Sequence, residues 1–473
     1  MKPNASKPGR LLLVTSLYPY GTGEAFVTAE LAHLSRCFGG IEVVPIFYEP
    51  GTRPRPVAHP VDLAYADARW GMLRVLRVAG ALLGALARYR WAADLRRILG
   101  RDHKLNNLAE LLRALYRARM FERYLAGKAR AAGVDAQADI LYFYWMLPEI
   151  LGALHFRKAN GSPVRIVCRG HNGDLYEDIK PGGYIGLRRS VVDGLDAVYT
   201  ISDDGTRYLN RCFPGQGAKF HTARLGVEDP GFLNAQPAGG PLSLVSCAFV
   251  GPVKRLPLIV DAIAHMLAAD PLLEVRWTHV GDGPLFDEVR AYAAGRLGPR
   301  AQVVFKGYLT QPELMMLYRD EAFDVIVNVS ENEGIPVSLM EAGAVGIPLI
   351  ATDVGGSAEI VNAENGVLLP ANPNAATVAA AILRFRDRRA ARAWRQAARR
   401  HWQMRFDADA NYTRFAHTLA DPKAPAALRP DLHPNPCPDP HSDSQAGASS
   451  ETASAAAQPA RPARPRNAGG TAG

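Results

Sequence analysis

The sequence predicts an α/β protein of two doubly wound, Rossmann-like domains with a cleft between them, followed by a disordered C-terminal tail. Three observations carry this. Short apolar runs alternate with helical stretches nearly to the end of the chain, the pattern of βαβ units and parallel sheets. A loop holding Pro230, Gly231, Pro237, Gly239, Gly240 and Pro241 divides those runs into two sets. From Asp421 onward Pro, Ala, Ser and Gly dominate, a composition that cannot bury a core.

A chain of 473 residues suits two domains and a tail better than one domain. The first domain is expected over 1–230 and the second over 231–395, with a terminal helix over 396–420 closing the fold and the tail over 421–473. In the first set, 11–16, 42–47, 140–145, 165–168 and 197–201 read as strands. In the second, the strands are 242–250, 275–281, 303–306, 323–330 and 348–352. The run 323–330 is the clearest, an apolar stretch of the kind that parallel strands buried on both faces require. The stretch from about 392 to 419 reads as helical and ends the fold. Two such sheets leave a cleft between them, a preferred position for a ligand.

Composition is globular, with 48% hydrophobic and 21% charged residues. The five cysteines (Cys37, Cys168, Cys212, Cys247 and Cys437) are scattered with no C-x-x-C pair, so neither a disulfide framework nor a zinc site is suggested and a reducing cytoplasm fits. The apolar run from Leu11 to Val14 is too short for the core of a signal peptide. No uninterrupted apolar run approaches the ~18 residues a spanning helix needs.

The net charge of +9 is unevenly placed: between Arg69 and Arg130 fifteen Lys and Arg face four acids. That segment is also rich in Leu and Ala. It reads either as helices with a solvated basic face or as a surface for anionic lipid, at the cytoplasmic face of a membrane. Nucleic acid is disfavoured, because the aromatics form no base-stacking platform.

The chemistry concentrates in the second domain. Glu333 and Glu341 are separated by seven residues, just after the 323–330 strand. Pro336 reads as the first turn of a helix and Gly346 stands past its end. A strand, loop and helix N-terminus in this order hold a phosphate on free backbone N–H groups. Glu341 would then lie about 7.5 Å along the helix axis, at 1.5 Å per residue, placed to accept the hydroxyls of a ribose. Glu333, in the loop, can face another part of the ligand. Lys254 and Arg255 follow the first strand of this domain, where cations would neutralise a diphosphate leaving group; charges near a helix start are the plainer reading. Gly281 and Gly283 form a turn after the second strand, and Gly307 and Tyr308 follow the third.

Two loops of the first domain complete the set. Gly21, Gly23 and Glu24 open a helix after the first strand, but Phe26 stands where a dinucleotide fingerprint needs its third glycine, so hydride chemistry is disfavoured. Arg169, His171, Asp174 and Tyr176 follow the fourth strand, at its C-terminal edge. Ser202, at the end of the fifth, reads as a residue bordering the cleft or as a helix cap.

In this order, the stretches resemble the family 4 retaining glycosyltransferases of bacterial polysaccharide and lipopolysaccharide biosynthesis, which have the GT-B fold. The resemblance covers about residues 10–420 and is strongest over 245–359. It rests on E-x7-E, on the G-x-G-P turn at Gly281, and on the R-x-H-x-x-D-x-Y loop at Arg169. It implies transfer of a hexosyl group, with retention, from a nucleotide diphosphate sugar to a hydroxyl of a glycan or lipid-linked acceptor. The donor is the only small partner implied, with no cofactor and no divalent metal. His171, Lys254 and Glu333 would be catalytic. Donor contacts would come from Gly21, Gly23, Arg255, Gly281, Gly283, Gly307, Tyr308, Gly334, Ile335, Pro336, Val337, Ser338 and Glu341. Glu24, Asp174 and Tyr176 would face the acceptor. The family commonly carries an arginine five residues before the lysine, and Phe249 stands there, which leaves Arg255 as its substitute. Other readings are a non-catalytic nucleotide-sugar-binding subunit, an epimerase, or a phosphorylase of the same fold.

Overall fold

The computed structural model describes residues 9–21, 24, 26–68, 74–132 and 138–421. Gly23, residues 69–73 of the basic segment and the tail beyond Asp421 lie outside them.

Two six-stranded sheets are present among the described residues, each parallel throughout. The first comprises β1 (Arg10–Thr15), β2 (Gly40–Pro45), β3 (Ile140–Phe143), β4 (Arg165–Gly170), β5 (Ala197–Thr200) and β6 (Phe220–Thr222), in the order β2-β1-β3-β4-β5-β6. The second comprises β7 (Leu242–Cys247), β8 (Val275–Val280), β9 (Ala301–Phe305), β10 (Val325–Asn328), β11 (Leu349–Thr352) and β12 (Gly366–Leu369), in the order β12-β11-β10-β7-β8-β9. Ten of these strands coincide with the predicted runs. The two others, β6 and β12, are edge strands: β6 is three residues long and β12 opens on a glycine, so neither has a readable apolar run.

Alternation along each strand splits its side chains between two cores. Leu12 and Val14 of β1 join one cluster, and Leu11 and Leu13 join the cluster on the other face. Leu244 and Val245 of β7 divide likewise. Each such buried side chain contributes about 1.5–3 kcal/mol. The strand order reverses between β1 and β3 and between β7 and β10, so helices leave to opposite faces there. A crevice is left at the carboxyl ends of those strands, where open α/β sheets bind ligands.

The chain closes with two helices, Arg388–Arg405 and Ala408–Ala420, where the sequence reads one. The break is at Phe406–Asp407: the Asp407 carboxylate accepts the Ala410 N–H at 2.8 Å and caps the second helix. Val227 N–H donates to the Phe406 carbonyl at 2.9 Å, fixing the corner. The last helix packs against the helix Phe26–Cys37 of the first sheet. Its Phe415 ring lies 5.5 Å from that of Tyr142 and 5.1 Å from that of Tyr199. Under it Arg169 and Glu30 form a buried ion pair at 3.1 Å. The Tyr142 hydroxyl donates to Glu30 at 2.7 Å, and Arg169 donates to the Ala223 carbonyl at 3.0 Å. Arg169 is therefore a core group rather than a cleft group.

Candidate active site

Lys254 and Glu333 are far apart in sequence and meet because β7 and β10 are neighbours at the strand reversal. Lys254 ends a short 3-10 turn, Pro252–Lys254, after β7; Glu333 lies in the loop after β10. Glu333 Oε1 accepts from Lys254 Nζ at 2.6 Å and from Asn328 Nδ2 at 3.2 Å. The helix Val337–Ala344 begins four residues later, after an extended Pro336, and its first N–H groups, at Val337 and Ser338, face out of the helix mouth. Ile335 is buried in the core, so only its backbone can meet a ligand.

Glu341 is the fifth residue of that helix. Burial raises its carboxyl from 4.5 to about 7. Cys247 and Tyr318 lie near enough for the Glu341 charge, after burial, to push their own protons harder to remove.

Loops of the two sheets touch at Gly334. A Cβ there would lie 3.0 Å from the His171 carbonyl oxygen and 3.0 Å from Asn172 Cβ. Gly355, at φ +53°, leaves no room either: its Cβ would fall 1.8 Å from the Glu333 carbonyl oxygen. The Gly356 N–H donates to the Gly334 carbonyl at 2.9 Å. The E-x7-E loop is thus pinned between the Gly355–Gly356 turn and the His171 loop.

His171 is 4% exposed and its ring is walled by aromatics. Its centroid is 4.1 Å from Trp145, 5.1 Å from Tyr144 and 6.1 Å from Phe26. Both ring nitrogens lack a hydrogen-bond partner among the described residues. Asp174 positions the loop: Oδ1 accepts the His171 N–H at 2.9 Å and Oδ2 accepts the Met146 N–H at 2.8 Å. Burial pushes the Asp174 carboxyl up, but the His171 ring, its Nδ1 3.9 Å from Oδ2, and the two backbone donors outweigh this and hold it below its ordinary value.

Three expected site residues are turned elsewhere. Arg255 does not replace the missing arginine. Its guanidinium donates to the carbonyls of Val329 at 2.6 Å, Ser330 at 2.9 Å and Ala371 at 2.8 Å, and so ties two loops together. Phe249 is apolar and 63% exposed, so it adds no charge beside Lys254. Glu24 does not face an acceptor. Its carboxylate accepts the N–H groups of Ser16, Leu17 and Tyr18 at 2.9, 2.7 and 2.6 Å, and the Trp145 indole N–H as well. Tyr176 is buried, with its hydroxyl on Asp204 at 2.7 Å and its ring against Tyr208.

The expected glycines divide by cause. Gly281 and Gly283 are required by packing: a Cβ on either would strike the Ala248 or Val250 backbone, at 1.9 and 2.5 Å. Gly307, at φ +71°, has open space around it and precedes Tyr308, whose ring is 58% exposed. Gly21, at φ +67°, holds Arg55 on its carbonyl at 2.7 Å.

Trp145, Phe26 and Asn328 join the site without having been singled out. Trp145 ends a predicted strand at its carboxyl edge, the one signal that could have pointed to it. Ser202 is the helix cap, accepting the Gly205 N–H at 3.1 Å. The adjacent Asp204 N–H donates across the cleft to Glu359 at 3.0 Å, and Arg224 bonds the same Glu359 at 3.0 Å and Asp203 as well.

The chain is similar to known proteins. Residues 242–387 match the family model described as "Glycosyl transferases group 1". The chain carries a group 1 glycosyltransferase domain. A D-inositol 3-phosphate glycosyltransferase of Streptomyces bingchenggensis is 33% identical over 169 residues, 34% of this chain and 34% of that protein. A putative colanic acid biosynthesis glycosyltransferase, WcaL, of Salmonella typhimurium is 28% identical, over 35% of this chain and 42% of that one. The chain therefore matches less than half the length of these two relatives. The solved structure of Anabaena HepE in complex with UDP-glucose aligns with a TM-score of 0.56 at 15% identity, covering 87% of this chain and 99% of that chain. The fold is GT-B, and the group 1 domain is its second sheet, with Lys254, Glu333 and Glu341 inside the matched residues.

Proposed function

We propose that the protein is a retaining glycosyltransferase of cell-surface polysaccharide synthesis. It would move a hexosyl group from a nucleotide diphosphate sugar to a hydroxyl of a glycan or lipid-linked acceptor. The observation that carries this is the Lys254–Glu333 pair at 2.6 Å, beside the mouth of the Val337–Ala344 helix and in the loop that touches His171. In this reading the helix mouth binds the diphosphate and Lys254 stabilises its departure. Glu341 accepts the ribose hydroxyls. Glu333 meets the sugar, and His171, with unpartnered nitrogens, hydrogen-bonds it from the other domain. HepE, which binds UDP-glucose in its crystals, supports a nucleotide sugar as donor. The reaction would need no divalent metal, so EDTA should leave turnover unchanged. The test is product analysis after incubation with UDP, GDP and ADP sugars: proton NMR of the product's anomeric centre should show the donor's configuration. An inverted product, or donor consumption that requires inorganic phosphate, overturns the reading.

One observation favours a nucleotide-sugar-binding subunit without turnover: neither Phe249 nor the diverted Arg255 adds a second cation beside Lys254. Calorimetric binding without any turnover would select it.

The basic segment supports contact with an anionic membrane at its cytoplasmic face. Leu83, Leu86, Leu99, Leu105, Leu108 and Leu112 are exposed on the helices Arg74–Arg88, Ala92–Leu99 and Lys104–Ala132, among the arginines. No helix among the described residues is long and apolar enough to cross a membrane. Flotation with vesicles containing anionic lipid, and none with neutral vesicles, is expected.

A further inference from the structure

The His171 loop and the E-x7-E loop belong to different sheets, yet besides their contact at Gly334 a run of hydrogen bonds joins them. The Tyr176 hydroxyl, at the far end of the His171 loop, donates to Asp204 Oδ2 at 2.7 Å. The Asp204 N–H, in the first turn of the helix Asp203–Cys212, donates to Glu359 Oε1 at 3.0 Å. Glu359 belongs to the short helix Ser357–Ile360 of the second domain, and its own N–H donates to the Gly356 carbonyl at 3.1 Å. The Gly356 N–H ends the run on the Gly334 carbonyl, next to Glu333, at 2.9 Å.

Glu359 is the link that crosses between the domains. Its side chain is 9% exposed, and Oε2 accepts at 3.0 Å from Arg224, which also bonds Asp203. The helix Arg388–Arg405 backs the link, with His401 Nε2 2.8 Å from the Glu359 carbonyl and Arg405 3.7 Å from Asp203. The backbones are close as well: a Cβ on Gly356 would lie 3.1 Å from Ser202 Cβ of the first domain and 2.7 Å from the Gly334 carbonyl oxygen. Both Glu359 oxygens are taken by protein donors, so it acts on a substrate only through position. The two loops cannot separate without breaking a bond of this run, and a displacement of about 1 Å at a reacting centre can cost about 100-fold in rate.

We infer that Glu359 is a positioning residue of the transfer reaction. Through Asp204 and Tyr176 on one side and the Gly355–Gly356 turn on the other, it sets the gap between His171 and Glu333, the two groups that meet the sugar from opposite domains. The inference rests on the glycosyltransferase reading. Tyr176 and Asp204 serve the same purpose from the first domain, which gives the buried Tyr176 hydroxyl a role without any contact to acceptor.

The test is steady-state kinetics and amide exchange on the full chain. Glu359→Ala cuts the run and should lower kcat about tenfold or more. Binding of UDP, GDP or ADP, whichever the wild type takes, should change by no more than about twofold, because the diphosphate is held within the second domain. Glu359→Gln keeps an acceptor for the Asp204 N–H and should recover most of the rate. Tyr176→Phe, the milder variant should Glu359→Ala fail to fold, removes a second link of the same run; the double variant should be no slower than Glu359→Ala. In Glu359→Ala the amides of Asp204 and Gly356 should exchange faster, while β8 and β9 keep their protection. Overturning results are a kcat within about twofold of wild type, a loss of nucleotide binding that matches the loss of kcat, additive losses in the double variant, or exchange that rises evenly over the second domain. A wild-type chain that turns over none of the UDP, GDP or ADP sugars counts against the glycosyltransferase reading, and the exchange pattern then still accepts or rejects the link between the loops.

Discussion

Replacing Lys254 by alanine is the sharpest test of the donor site. Its Nζ lies 2.6 Å from Glu333, and neither neighbouring candidate backs it up: Arg255 is held on loop carbonyls and Phe249 is apolar. Two unit charges about 4 Å apart attract by about 4 kcal/mol at an effective dielectric near 20. Part of that is already present when the donor binds, so only the part that grows as the bridging oxygen takes up charge appears in kcat. Taking about 3 kcal/mol for that part, the cost of deleting one such donor, kcat should fall about 100-fold, at about 1.4 kcal/mol per decade. Donor KM should rise less. Deletion also leaves Glu333 without its partner beside the diphosphate, a repulsion that would exaggerate the loss. The double variant Lys254→Ala/Glu333→Gln removes that repulsion and should recover no more than that excess, staying well below wild type. Steady-state turnover with the nucleotide sugar that most raises Tm is the assay. A kcat within about threefold of wild type in both variants would refute the electrostatic role.

Three further outcomes are expected. Phe249→Arg, at a position 63% exposed, should change stability by no more than about 0.5 kcal/mol and raise kcat several-fold by restoring a second cation; an unchanged kcat would mean the diphosphate lies elsewhere. Glu341 keeps in the folded chain, up to about pH 7, a proton that the unfolded chain gives up near 4.5, so the folded state loses relative stability as pH rises between those values. Glu341→Gln should therefore raise Tm at pH 8 and leave it unchanged at pH 4, and an equal shift at both would count against a buried, protonated carboxyl. Glu30→Gln leaves the Arg169 charge buried without its partner and should cost about 3–5 kcal/mol in urea unfolding; a cost under about 1 kcal/mol would mean that water reaches the pair.

Much of this protein was legible from local pattern. Ten strands were readable because each is an apolar run long enough to be covered on both faces, and the Val337–Ala344 helix because proline and glycine bracket it. What failed was long-range. Arg255 sits where a phosphate ligand belongs, and nothing local reveals the carbonyls of Val329, Ser330 and Ala371 that capture it. Glu24 looks free in sequence, yet its own loop curls three N–H groups onto it. Trp145 acquires a role only once β3 and β4 are adjacent, bringing it onto His171. Spacing reports on residues that share an element; it is silent on what topology brings from elsewhere.

The last helix bears on how the chain is made. Arg169 and Glu30 are sealed by Phe415, whose ring lies 4.3 Å from the guanidinium, and Phe415 arrives near the end of the described chain. During synthesis the first sheet can form early, but its charged centre stays wet until Ala408–Ala420 docks. At about 5–20 residues per second that wait is roughly ten to forty seconds after residue 227 is made. A nascent chain stalled before residue 408 should hold its first sheet with an open, aromatic-lined face, a natural station for a chaperone. Expressing 1–230 alone should give a protein that binds a hydrophobic dye, and adding residues 408–420 as a peptide should quench it.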